Sequence, residues 1–409
     1  MSAHEQPLRM KTTSPLKTLH TSKQEPIKQE LERPEERAPK LKEGVVLYAT
    51  HDPEYFYIGT PRARVGFRSL CARAIFDYIA ANLTLDKSRE LLAQITQTTS
   101  HTEIEIQGLI TELSKSGLIE RQQSVIQIPD RYISAIKEKA KRASEHTGDA
   151  ALDQLKKKIE PELVQSRWVQ GVEDSGISII NQRHLAHIEI SGHSRAATQL
   201  FALLLASGVT HTQFGLGYRP DATLICDTDI EAGPIRSTDL GKTFKTRAHE
   251  LSKEIALLPL EKLESAEEVG ADFKEQTLKV HFGEIDPVTQ ALWMSAGQQH
   301  LIIGEVTGAS LRIGPIVRPG ITPCSRCVDL LECEQSGAVE QITRSGKTSK
   351  ELPVIAAHFL ASLVASIILQ LIDGDTCDLF GSILFIDLLS LCSTEHIPIA
   401  RHPSCGCDW

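Results

Sequence analysis

Four cysteines in two close pairs constrain this chain more than any other feature. Cys324 and Cys327 stand in "ITPCSRCVDLLEC" (321–333), and Cys405 and Cys407 stand in the closing "RHPSCGCDW". Two thiolates two residues apart, in a tight turn, can face one ion. Two thiolates around a single glycine can do the same, because the missing side chain of Gly406 lets the backbone fold sharply. Four thiolates match the closed tetrahedral shell of structural zinc, which has no open position for water and does no chemistry. On that reading the end of the chain is stapled back to the loop at Cys324. The competing reading is that the cysteines are unrelated. His402 is a rival ligand by type, but it precedes Pro403 and reads as a turn residue. Cys71, Cys226, Cys333, Cys377 and Cys392 have no partner at ligand spacing and read as inert core thiols.

The nine cysteines follow a polar, proline-bearing start with no apolar signal core, so a reducing, cytoplasmic location is expected. A net charge of −9 argues against general nucleic-acid binding. Residues 352–372, "LPVIAAHFLASLVASIILQLI", are long and apolar enough to span a bilayer. Flanks without an aromatic belt, and His358, Ser362, Ser366 and Gln370 within it, favour a helix buried in an α/β core. No membrane partner is expected.

Residues 1–43 are rich in Lys, Glu, Gln and Pro and read as a disordered tail. Residues 44–130 read as a small separate unit. "GVVLYAT" and "EYFYIGT" are strands, "SLCARAIFDYIAANL" and "SRELLAQI" are helices, and a third helix runs through "TEIEIQGLITELSKSGLIE". Ser100 with Glu103 has capping-box spacing for that helix, and Gly117 is its stop. "SVIQIP" supplies a last strand, and the order makes a winged helix. The third helix carries Glu103, Glu105 and Glu112 against Lys115, a face that would repel a phosphate backbone. Capture of a peptide by strand addition beside a helix groove is the better use of such a unit. Val45, Leu47 and Tyr48 on the first strand, with Leu109 and Leu113 on the third helix, are the candidate contacts, with winged-helix core as their other reading.

Residues 131–182 are charged and helical and read as a connector. From 183 to 409 strands alternate with helices, which implies an α/β fold with a doubly wound, mainly parallel sheet. The first βα turn, "IEISGHSRAAT", puts Gly192, Ser194 and Ala197 where a dinucleotide fingerprint has three glycines. Arg195 adds a positive charge at a helix N-terminus, which attracts anions. The plain alternative is an ordinary βα turn.

This order of a Gly-loop, "DLGKTFKTRAHEL", "RPGITPCSRC", a long apolar helix and a closing cysteine pair resembles the ThiF-like, ubiquitin-activating-enzyme-like adenylyltransferases over roughly 183–409. With the preceding winged helix, "IGPIVRPGITPCSRCVDL" and "HPSCGCDW" resemble the actinobacterial leader-peptide-binding proteins of thiazole/oxazole-modified peptide (TOMM/RiPP) biosynthesis. The resemblance implies a Rossmann-type domain with a structural zinc, preceded by a recognition element for a precursor's leader. It also implies a YcaO-type cyclodehydratase as partner and leaves room for a homodimer. Active adenylyltransferases of the family carry an Asn-Leu-x-Arg-Gln stretch that is missing here. In its place stand Asp221, Asp227, Asp229 and Arg236. Lys242 matches the "GK" lysine and Lys245 lies near a phosphate-reaching one, but of the acids that could follow the third strand as a magnesium ligand, Glu284 and Asp286, neither is well placed. No cysteine reads as a thioester nucleophile. The expectation is therefore a non-catalytic partner. The alternative is an ATP- and magnesium-dependent adenylyltransferase using Gly192, Ser194, Arg195, Lys242 and Asp286.

Overall fold

Among the described residues, the two largest apolar cores belong to two different layer arrangements. The computed structural model describes residues 37–99, 101–120, 148–169, 171–192, 194–215, 224–230, 233–258, 277–283, 285–304, 306, 309–337, 352–374, 377–391 and 393–407. The tail to residue 36, Ser100, the strand expected over 124–129, the first part of the connector, Asp221, Glu284 and Cys392 lie outside the described residues.

The first core belongs to the N-terminal region. Strands β2 (Val46–Ala49), β3 (Tyr55–Gly59) and β4 (Arg64–Arg68) form an antiparallel sheet in that order. Period-2 alternation turns Leu47, Ile58, Val65 and Phe67 inward. They meet α1 (Ala72–Ala80), α2 (Leu85–Thr98) and α3 (Glu103–Lys115), which contribute Ile75, Leu92, Ile106 and Leu113. A two-residue strand, β1 (Lys40–Leu41), pairs with β5 (Ile119–Glu120) after α3. Residues 40–43, read from composition as tail, are thus bound into this unit: Leu41 is 6% exposed. The capping box of α3 is also displaced from its expected place. Thr102 accepts from the Glu105 amide while the Glu105 carboxylate accepts from the Thr102 amide. Ser100 and Glu103 had the same spacing two residues earlier, but Glu103 is the first residue of the helix and Ser100 lies outside the described residues.

Helix α4 (Gly148–Ser166) presents Leu155, Ile159 and Leu163 to Ile177 and Ile180 of α5 (Ile177–Leu185), and leaves Lys156–Lys158 exposed as a solvated face.

The second core is built on a seven-stranded sheet of order β12-β11-β10-β9-β8-β6-β7. Strands β7 (His211–Phe214), β6 (His187–Gly192), β8 (Thr277–Phe282) and β9 (His300–Ile303) are mutually parallel. Three antiparallel strands follow, β10 (Ser310–Val317), β11 (Ser382–Asp387) and β12 (Thr394–Pro398). One face of the sheet is apolar, with Ile188, Ile190, Val280, Leu301 and Ile313. It is covered by α6 (Arg195–Ala206), α7 (Phe244–Ile255) and α10 (Val354–Gly374). Helix α10 is the one helix, among the described residues, long and apolar enough to cross a membrane. Its Leu360, Ala361, Val364 and Ile368 are buried in this core, packed chiefly on α6, which accounts for its composition. Two further helices, α8 (Pro287–Ser295) and α9 (Ser325–Ser336), complete the described set. The first cysteine pair was read as a turn, but Cys324 is the N-cap of α9 and Cys327 lies in its first turn.

Candidate functional site

The four thiols of Cys324, Cys327, Cys405 and Cys407 meet. Their sulfurs all lie within 4.8 Å of one another. The Cys324–Cys405, Cys327–Cys407 and Cys324–Cys327 separations are 3.4, 3.5 and 3.9 Å. Zinc–sulfur bonds of about 2.3 Å at a tetrahedral angle place sulfurs about 3.8 Å apart. The donor set therefore fits zinc, and the cluster would hold one ion without a solvent position, since all four residues are buried. Local structure explains the convergence. Helix α9 starts at Cys324, so one helical turn carries Cys327 to the same side. Gly406 adopts φ +71°, a conformation that side-chain-bearing residues avoid, and this turns Cys405 and Cys407 together. Val317 at the end of β10 closes the site from below.

Burial and crowding set the protonation of the thiols. Burial, then hydrogen bonding from neighbouring thiols, pushes Cys407 up to about 11 and Cys405 further in the same direction. Burial acts upward on Cys327 too, but the His402 amide, donating at 3.4 Å, and the adjoining groups hold it below the usual thiol value. Without a metal the site would keep most of its protons. With one, the thiols ionise together. His402 is not a ligand. Its Nδ1 accepts from the Ser404 amide at 3.1 Å, so Nε2 carries the proton and donates to Glu334 at 2.9 Å. The other described cysteines lie outside the cluster and are not core thiols as expected: Cys71, Cys333 and Cys377 are only partly buried, and Cys226 is exposed with its thiol donating to Asp229 at 3.1 Å.

The βα loop after β6 is held by its own geometry. Gly192 has φ +82°, and a Cβ there would meet the Phe282 carbonyl oxygen at 1.9 Å. Glycine is thus demanded by the approach of β8, whatever the loop binds. Ser194 is the N-cap of α6, its hydroxyl accepting from the Ala196 amide at 3.1 Å. Arg195 is the first residue of that helix. Lys242 lies in a separate segment, where its ammonium donates to Glu250 at 2.6 Å and Asp239 at 3.0 Å. Those two carboxylates, Glu250 foremost, raise its pKa. Asp286 is likewise occupied, as the N-cap of α8, accepting from the Thr289 amide at 3.0 Å.

Sequence reasoning missed Arg247. It is buried, pairs with Asp239 at 2.9 Å and Glu254 at 2.9 Å, and donates to the Pro234 carbonyl. Its signal was the run Asp239, Lys242, Arg247, Glu250 and Glu254, opposite charges at helix-face spacing around the "GK" element.

The candidate peptide contacts divide. Leu113 is 0% exposed and Val45 is 8% exposed, both in the N-terminal core, so neither offers surface. Leu47, Tyr48 and Leu109 are half-buried. Of the three strands of that sheet, it is β4 that packs chiefly beside α3.

No protein-family model matches the chain, and no curated protein matches it in sequence. Solved structures do match. E. coli MccB with ATP superposes with a TM-score of 0.58 at 11% identity, over 90% of this chain and 99% of that one. This chain has a fold similar to that of MccB. E. coli MccB with MccA-N7isoASN gives the same TM-score, identity and coverage. The microcin C7 biosynthetic enzyme MccB in complex with N-formylated MccA gives 0.56 at 12% identity, over 91% and 99% of the two chains. The likeness to MccB thus extends beyond the sheet domain, which alone spans a little over half of this chain.

Proposed function

We propose that this chain is a ThiF-like, leader-peptide-binding scaffold that presents a precursor peptide to a YcaO-type cyclodehydratase in azole-modified peptide biosynthesis. The carrying observation is the edge of β4 beside α3. Among the described residues β4 has a strand partner on one side only, and its inward Phe67 and the half-buried Leu109 of α3 offer apolar contacts next to that edge. An extended peptide gains main-chain hydrogen bonds from the strand edge and side-chain pockets from the helix. This moves the expected strand from β2 to β4 and leaves Leu109 as the helix contact. The N-terminal unit acts here as a winged helix, and the sheet domain, stapled by its cysteines, acts as the support.

A second reading, an ATP-dependent adenylyltransferase, is favoured by the shared fold with MccB, which has been solved with ATP. Against it stand the engaged side chains: Ser194, Lys242 and Asp286 each already satisfy a protein partner. One experiment separates the two. A fluorescent peptide carrying the leader of a candidate precursor is titrated by anisotropy, and pyrophosphate release is followed with ATP and magnesium. The scaffold reading expects saturable binding, weakened about tenfold or more by Leu109→Asp, and no pyrophosphate. Peptide-dependent pyrophosphate release would replace it with the enzyme reading.

A further inference from the structure

Residues 61–73, the stretch that contains β4, hold four arginines and no acid, in a chain where acids outnumber Lys and Arg by 53 to 44. Strand alternation sorts the side chains of β4. Val65 and Phe67 turn in to the core, while Arg64, Gly66 and Arg68 turn out and are exposed. Across the sheet, Arg64 stands opposite Gly59, Gly66 opposite Tyr57 and Arg68 opposite Tyr55.

The middle of this outward row is filled from β3. A Cβ at Gly66 would collide with the Tyr55 hydroxyl and lie 3.1 Å from the Tyr57 ring. The glycine thus lets the Tyr55 hydroxyl stand over β4 where a side chain of β4 itself would be. Arg64 is held in place. Its Nε donates to the Thr60 carbonyl at 3.1 Å, and its guanidinium lies 4.4 Å from the Tyr48 ring centroid. Those contacts leave its two terminal nitrogens to other acceptors. The Arg68 side chain is 68% exposed and meets Asp52 at 3.2 Å and Glu54 at 3.9 Å, surface pairs that contribute little. The outer side of the β4 edge therefore presents a guanidinium, a hydroxyl and a guanidinium in order. The inner side differs. Leu109 of α3 has Glu105 four residues before it and Glu112 three after, so carboxylates flank it on the helix surface.

We propose that the peptide added to β4 is acidic and amphipathic, with Asp or Glu at alternate positions facing Arg64, the Tyr55 hydroxyl and Arg68, and apolar residues between them facing Phe67 and Leu109. This inference rests on the peptide-binding reading and names the class of peptide. Cross-strand pairs on one face decide which strand fits, and the planar arginine fork matches a carboxylate. Both sides enforce the register. A slip by one residue would turn the acids toward Glu105 and Glu112 and the apolar residues toward the guanidiniums. A net charge of −9 repels acidic peptides from the chain as a whole, so capture depends on this local row.

The test titrates fluorescent leader peptides by anisotropy against the full chain, first unaltered and then with each Asp or Glu changed to Gln. Acids two residues apart are expected to matter, each change weakening binding about threefold. Arg64→Glu should weaken it at least about tenfold, and changing the acid that faces it to Lys should restore the affinity. Lys156→Glu makes the same change in net charge on the solvated face of α4 and leaves the affinity unchanged. Circular dichroism checks that the variants fold. Should Arg64→Glu fail to fold, Arg64→Gln serves instead, with a loss of about threefold. Binding that Leu109→Asp weakens, but that the Arg64 and Gln changes leave untouched, overturns this inference and keeps the scaffold reading. A chain that binds no leader peptide overturns both.

Discussion

Arg183 is 1% exposed and pairs with Asp373 through two hydrogen bonds of 2.8 and 2.6 Å, at the end of α10. It also reaches Glu162 of α4 at 3.1 Å and the Ser207 carbonyl at 3.3 Å. One guanidinium therefore ties three helices and a turn by its fixed fork of donors. Removing it leaves the Asp373 carboxylate buried without a counter-charge. Arg183→Ala is expected to lower stability by about 3–5 kcal/mol, read as a fall in the urea midpoint. The double change Arg183→Met with Asp373→Leu should recover much of that loss, since no buried charge remains. A double variant as unstable as Arg183→Ala would show that the cost lies in packing rather than in the orphaned charge. Nothing in the sequence marked this pair: its members are 190 positions apart, and an arginine at the end of an amphipathic helix reads as a surface residue.

At the scale of elements, the start of the parallel sheet holds a group that ties stability to pH. His187 opens β6 and His211 opens β7. Their rings stack with centroids 4.6 Å apart and 9° between planes, and His184 of α5 lies 5.5 Å from His211. Burial, then the neighbouring His187 and His184, lowers His211 to about 4 from its usual 6.5, and burial alone lowers His187. Both shifts favour the neutral ring in the folded chain. Below pH 6.5 the unfolded chain takes up protons that the folded chain refuses, so stability falls progressively toward pH 4. The urea midpoint should drop over that window, and His211→Gln should flatten the drop. An unchanged slope in the variant would place the acid sensitivity in the carboxylates. The elements themselves were mostly legible beforehand. Period-2 runs such as "TLKVHF" and good helix formers such as "RAATQLFALLLA" define their own conformation. Helix α9 was not legible, because its cysteines suggested a turn and its apolar positions follow no clear stripe.

At the scale of the molecule, the cysteine cluster closes a long loop. It joins the start of α9 to the last described residues and brackets α10, β11 and β12 between its halves. Binding an ion here fixes a cross-link that the unfolded chain lacks, so part of the binding energy becomes folding energy. Stripping the metal with a strong chelator, or making Cys407→Ser, is expected to lower the melting temperature by several degrees or more, corresponding to a loss of at least about 2 kcal/mol. Cobalt loaded in place of zinc should show the intense absorption of a four-thiolate tetrahedral site, one ion per chain. A metal-free preparation with the same melting temperature as the loaded one would refute the staple.

The cysteine pairs, the strand–helix alternation and the apolar length of α10 were determined by the sequence alone, because ligand chemistry and hydrophobic periodicity are local properties that survive any arrangement of their surroundings. Only the tertiary structure decided which edge strand lies beside α3, that Leu113 and Val45 are core, and that Lys242 and Ser194 are already engaged. Each of these depends on which faces meet. Side chains far apart in the chain become neighbours only through packing, and a pattern in one segment does not name the segment it packs against.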